Sequence, residues 1–201
     1  MGKFEARGQF IRLPAEVRES EGDIQVAGYA AVFNQEADIG GYFRERIAPG
    51  AFTDAIGRDD VAFLFNHDED TVMARTRSGT LTLSEDDHGL KIAARLEPGD
   101  PDAQRVLHKM RRGDIDKMSF AFFPEVEEWD TSGDVAVRTL KTVRLHDVSA
   151  VTWPAYDGTE IALRSLAAHR DQQRRSGNFA ATQRRLRMKT DYLGRIGREN
   201  G

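Results

Sequence analysis

The chain has no cysteine, so any nucleophilic chemistry must come from hydroxyls, imidazoles, carboxylates or amines. Two residues stand out by their setting. His67 closes the apolar run Val61–Asn66 and precedes Asp68, Glu69 and Asp70. A histidine at the mouth of a buried strand is held by rigid backbone yet still reaches solvent, which suits a general base; a surface histidine drawn to three acids reads the same way. Ser119 lies within DKMSFAFFPEVEEW, a small hydroxyl among large apolar side chains. Period-two alternation puts Met118, Phe120 and Phe122 on one face and Ser119, Ala121 and Phe123 on the other, leaving the hydroxyl facing a space open to substrate. Serines are common in strands, so spacing alone permits a nucleophile without requiring one. A third group comes from RLHDVSAVTWPAY, where Asp147 and Ser149 share the face opposite His146 and Val148. A lone aspartate in an apolar strand is costly unless paired, and a protonatable histidine is its natural partner; an exposed strand end is the alternative.

The remaining candidates carry less. His88 sits in the turn DDHGL, His108 on the polar side of a helical segment and His169 in a basic C-terminal stretch, all three read as solvated. His67, Asp68 and Asp70 are too close in sequence to converge on one ion, so no metal site is expected. The chain has no phosphate loop, dinucleotide fingerprint or zinc-protease motif, and no cofactor is expected.

The elements that would position these residues are mostly strands. Phe10–Leu13, Ile24–Phe33, Val61–Asn66, Thr80–Leu83, Leu90–Leu96, Lys117–Val126, Val135–Val143 and Val148–Trp153 carry β-branched and aromatic residues. Gly40-Gly41, Ser78-Gly79, His88-Gly89 and Ser132-Gly133-Asp134 supply turn positions that tolerate positive φ. Two helices interrupt the strands. A short one opens at Pro49-Gly50-Ala51-Phe52 and ends near Gly57. A longer one has Asp100 as N-cap, Pro101 at its first position, an apolar stripe of Ala103, Val106, Leu107 and Met110, and a stop at Arg111-Arg112-Gly113. Without strand–helix alternation, the pattern predicts a mainly β fold with a few helices (α+β), an antiparallel barrel or sandwich.

At 201 residues the chain fits one domain with an appendage. The predicted division is a body at residues 1–163 and a tail at 164–201. The tail carries ten Lys or Arg against three Asp or Glu, leaving 19 against 30 in the body. An acidic body repels phosphates, so specific nucleic-acid binding by the whole protein is not expected. No apolar run approaches the 18 or so residues of a membrane span, and the charged N-terminus does not read as a secretion signal, so the expectation is a cytoplasmic protein.

Several stretches, in order, resemble the prohead proteases of tailed phages: GYAAVFN, ERIAPGAF, LFNHD, RTRSGTLTLSEDDHGL, KMSFAFF and HDVSAVTWPAY, together spanning about residues 28 to 164. The resemblance implies a serine endopeptidase of capsid maturation with an antiparallel β-barrel of the herpesvirus-protease-like type. It implies Ser119 as nucleophile and His67 as general base. Asp147 is the preferred third member, where relatives often carry Glu, with His146 the alternative because herpesvirus enzymes use a second histidine. Met73-Ala74 stand where a Leu-Gly pair is expected, a change assigned to a turn. The implied substrates are a scaffold protein or the scaffold-like segment of the major capsid protein, and the protease itself. Portal and other procapsid components are implied neighbours, and a homodimer an implied state. The implied location is the procapsid interior in the host cytoplasm. The basic tail is read as a targeting segment or a self-cleaved extension. The rival function is a non-enzymatic assembly factor on the same barrel.

Overall fold

The structure is a computed structural model that describes residues 5–8, 16–20 and 23–153, together with scattered positions between 166 and 187. The strand expected at Phe10–Leu13 and most of the basic tail lie outside the described residues. The chain divides into two compact units, Met1–Thr159 and Glu160–Gly201; the described residues of the second, from 166 to 187, are helical. Among the described residues, no helix is long and apolar enough to cross a membrane.

The first unit holds two sheets. The smaller is antiparallel and runs β2 (Glu16–Ser20), β3 (Asp23–Val32), β9 (Gly89–Leu96), β8 (Leu81–Glu85). The larger runs β1 (Glu5–Gly8), β10 (Lys117–Asp130), β11 (Val137–Val151), β5 (Phe43–Ile47), β4 (Ala37–Ile39), with β6 (Ala62–Phe65) also on β11 and β7 (Asp68–Arg75) on β6. The sheets do not close on one another, so the expected antiparallel barrel is not what forms. The larger sheet is also mixed: β5 and β6 both run parallel to β11, the first along Val137–Leu140 and the second along Asp147–Ala150. The cause is α1 (Thr53–Arg58), which serves as the crossover between β5 and β6 and lets both follow one direction. The sequence pattern sees this helix without seeing that it joins parallel strands.

The two expected strands at the C-terminal end of the body are one continuous 15-residue β11. It pairs along its whole length with the 14-residue β10, and three irregularities in register bend the ribbon. Phe52, Phe63, Phe120, Phe122, Leu90 and Ile92 anchor a core shared with the buried face of α2 (Pro101–Arg112), formed by Ala103, Val106 and Leu107. That helix has the predicted ends: the Asp100 side chain accepts from the Asp102 amide, and Gly113 adopts φ 78°.

Two local expectations change. Met73 and Ala74 lie inside β7 and are buried in the core, so their identity bears on packing rather than on a turn. Gly89 is not a positive-φ position. A Cβ there would lie 2.0 Å from the Ala31 carbonyl oxygen, where β3 bulges between Tyr29 and Ala31 and presses its backbone on β9. Close backbone approach, not turn conformation, requires this glycine.

Candidate active site

Four adjacent strands bring the polar candidates together. β10 and β11 pair Ser119 with Ser149 and Ala121 with Asp147, so both polar residues of β11 share a face with Ser119. β6 lies along the other side of β11 and turns into β7 through Asn66 and His67. Both have positive φ, 54° and 58°, the signature of a two-residue type I′ hairpin turn. The turn is tied to β11 at both residues. Asn66 N–H donates to the Ala150 carbonyl, and its side-chain oxygen accepts from the Thr152 amide at 2.9 Å; His67 N–H donates to Ser149 Oγ at 3.3 Å.

This fixes the imidazole between two partners. His67 Nδ1 lies 2.7 Å from Asp147 Oδ1, and His67 Nε2 lies 2.7 Å from Ser119 Oγ. Asp147 is 2% exposed and Ser119 fully buried, while the His67 side chain keeps 15% of its surface. An ionised carboxylate only accepts, so Nδ1 carries the proton toward Asp147 and Nε2 is left as an acceptor. Ser149 completes the arrangement: its hydroxyl donates to Asp147 Oδ1 at 2.7 Å while accepting from the His67 amide. Hydroxyl, imidazole and carboxylate therefore stand in the order that acyl transfer uses.

The other histidines lie elsewhere. His146 Nε2 is 3.3 Å from Glu69 Oε1 on the opposite side of β11, away from Ser119. His88 is exposed and meets Tyr29 edge to face, and His108 is exposed on α2; His169 is outside the described residues. Among the described residues, no group of three or more acidic or histidine side chains is placed to hold a metal ion.

Of the features that escaped the sequence reading, two lie against Ser119 and its neighbours. The first is β1, an edge strand that pairs Gly8 with Ser119 and Arg7 with Phe120. The Ser119 hydroxyl also lies 2.9 Å from the Arg7 carbonyl oxygen, which competes with His67 Nε2 for its single proton, so the space expected beside the hydroxyl is filled by the chain's own N-terminal strand. The second is a buried ionic cluster. Arg7 Nε donates to Glu45 Oε1 at 2.7 Å and Nη2 to Glu5 Oε2 at 2.5 Å. Arg138, also fully buried, donates to Glu5 at 2.8 Å and to Glu45 at 3.0 Å, and reaches Glu127. Burial works against the charge of Arg138, but the Glu45, Glu5 and Glu127 carboxylates outweigh it and hold the guanidinium above its ordinary range.

The sequence model described as caudovirus prohead serine protease matches residues 13–172. The chain belongs to this family. Among curated proteins it is similar to the prohead protease of Enterobacteria phage HK97, with 32% identity over 139 residues. That match covers 67% of this chain and 57% of the relative, so the prohead-protease family member spans little more than half of its relative's length. Among solved structures it is similar to the bacteriophage T4 capsid assembly protease at 12% identity, covering 76% of this chain and 97% of the other with a TM-score of 0.48. Residues 13–172, matched by the family model, contain His67, Ser119 and Asp147, but not β1.

Proposed function

We propose that this protein is a serine endopeptidase of prohead maturation, with Ser119 as nucleophile, His67 as general base and Asp147 as the acid that orients it. The observation that carries this reading is the unbroken chain from Asp147 Oδ1 through the His67 ring to Ser119 Oγ, with both contacts at 2.7 Å. Ser119 Oγ attacks the substrate carbonyl while its proton passes to His67 Nε2. The imidazolium, steadied through Nδ1–H by Asp147, then returns that proton to the leaving amine. Water, activated by the same nitrogen, releases the acyl group and restores the serine. Backbone N–H groups aimed at the developing oxyanion contribute about 3 kcal/mol per donor in such reactions.

The family points to capsid-assembly proteins as substrates: the scaffold, or the scaffold-like segment of the major capsid protein, cut within the procapsid in the host cytoplasm. Excision of an internal scaffold makes assembly irreversible and clears room for the genome. The basic residues 164–201 serve as a docking segment for an acidic assembly partner. Portal contacts, self-cleavage and a homodimer extend the same reading.

A fluorophosphonate tests the site directly. The expected adduct maps by tandem mass spectrometry to Ser119 and is lost in His67→Ala. An adduct on another serine, or equal labelling of His67→Ala, overturns the assignment.

A further inference from the structure

The seat of β1 describes how a substrate binds. An extended peptide recognised by a sheet edge gains its hold from main-chain pairing and its selectivity from alternate side chains. β1 has both features. It pairs antiparallel with the strand that carries the nucleophile, in the register Glu5 with Phe122 through Gly8 with Ser119. The carbonyl that reaches Ser119 Oγ is that of Arg7. Strand alternation sends the side chains of Glu5 and Arg7 to one side, and both enter the buried ionic cluster.

Each meets a complementary partner from the body of the fold. The Arg7 guanidinium takes Glu45 of β5 through Nε at 2.7 Å and through Nη2 at 3.5 Å, and lies 5.7 Å from the Phe122 ring centre. Its Nη1 donates to its own neighbour, the Ala6 carbonyl. The Glu5 carboxylate takes Arg138 of β11 at 2.8 and 3.3 Å. If β1 lifts away, it takes one charge of each sign with it. Among the described residues, Glu45 and Glu127 then face Arg138 as their buried cation, so the emptied site keeps a surplus negative charge where Arg7 had been.

We propose that the β10 edge under β1 is the peptide-binding groove of the enzyme, and that Glu45 selects an Arg or Lys at the residue whose carbonyl meets Ser119. Arg138 selects an acidic residue two positions earlier. The inference rests on the serine peptidase reading. β1 is then an internal occupant of the groove in its resting state. Ser119 has one proton: given to the Arg7 carbonyl, it is not given to His67 Nε2, so a docked β1 withholds the proton transfer that starts the reaction. Substrate enters by replacing β1 on the same edge.

Diphenyl phosphonates of acetyl-Glu-Ala-Arg and acetyl-Glu-Ala-Leu separate these ideas, because each adds to the active serine without requiring turnover. The full-length chain is incubated with each, and the rate of Ser119 modification is read by intact mass. Ion pairing to a buried carboxylate predicts that the Arg probe reacts about 30-fold faster or more. In Glu45→Gln, nearly the same shape without the charge, the ratio falls to about threefold or less. Arg7→Gln leaves Glu45 in place and loosens β1; both probes then react faster with their ratio kept, which also reports a folded protein. Equal rates for the two probes in the unaltered chain, or an unchanged ratio in Glu45→Gln, overturn the proposal. If a small fluorophosphonate modifies Ser119 and neither peptide probe does, in the unaltered chain or in Arg7→Gln, the groove assignment fails and the peptidase reading stands. If the fluorophosphonate fails in both chains too, both readings fall.

Discussion

Removing one hydroxyl from Ser149 should slow the enzyme without weakening its grip on substrate. Ser149 makes no hydrogen bond to the Ser119 hydroxyl, yet it holds two members of the proposed catalytic set: it donates to Asp147 Oδ1 at 2.7 Å and accepts from the His67 amide at 3.3 Å. In Ser149→Ala the buried Asp147 carboxylate loses a donor and the hairpin turn loses a tie to β11. A hydrogen bond to a charged group is worth about 1.5–3 kcal/mol. At about 1.4 kcal/mol per factor of ten, the rate should fall roughly 10- to 150-fold if that energy is felt in the transition state. Steady-state hydrolysis of a peptide cut by the wild type should show the loss in kcat, with KM within about twofold. Thermal unfolding should show a cost of about 1–3 kcal/mol from the same bond. For comparison, Asp147→Asn should cost on the order of 10⁴ in kcat, because the wrong tautomer then faces Ser119. An unchanged kcat in Ser149→Ala, or a loss carried by KM alone, would refute the positioning role.

Other consequences are simpler to check. Gly89→Ala should destabilise the fold by about 1–3 kcal/mol in chemical denaturation, since its Cβ would meet the Ala31 carbonyl. Asp86 accepts from the Tyr29 hydroxyl at 2.6 Å and from the His88 and Gly89 amides, and these hold its carboxyl below the usual 3.8. Its contribution to stability is therefore present above the ordinary carboxylate pKa and is lost as pH falls through the depressed value. Tyr29→Phe should move the NMR titration midpoint of Asp86 upward; no movement would contradict the hydrogen-bond cause. Deleting residues 170–201 should reduce incorporation into procapsids while leaving peptide hydrolysis intact, and undiminished incorporation would remove the docking role of the basic tail.

The elements that gather the site were unevenly legible. β9, β10 and α2 follow from alternation, periodicity and capping because their inward residues are apolar. β5 does not. Its alternation is regular, with Phe43, Glu45 and Ile47 buried and Arg44 and Arg46 exposed, but one inward position is a carboxylate. Glu45 is tolerated there only because Arg7 and Arg138, 38 and 93 positions away, neutralise it. Nothing local announces such a pairing, and β1 was missed for the same reason. β11 read as two strands because the charges from Arg144 to Asp147 look like an interruption, whereas Asp147 is an inward group answered by His67 and Ser149. The shared face of Asp147 and Ser149 was visible in the spacing. The role of Asn66-His67 as the whole turn of a hairpin was not, although Asn before a residue of positive φ between apolar strands is the usual signal. Barrel closure was the wrong inference because α1, although legible as a helix, was not legible as the crossover that lets β5 and β6 both run parallel to β11.

The central claim is that Ser119, driven by His67, cuts a capsid-assembly protein. Coexpression of the cognate major capsid protein with this chain, followed by intact-mass measurement of the assembled particles, tests it most directly. With the unaltered chain, the capsid protein should shorten to one defined product. With Ser119→Ala, it should stay at full length while particles still assemble. Shortening at the same position and rate with Ser119→Ala would contradict the account.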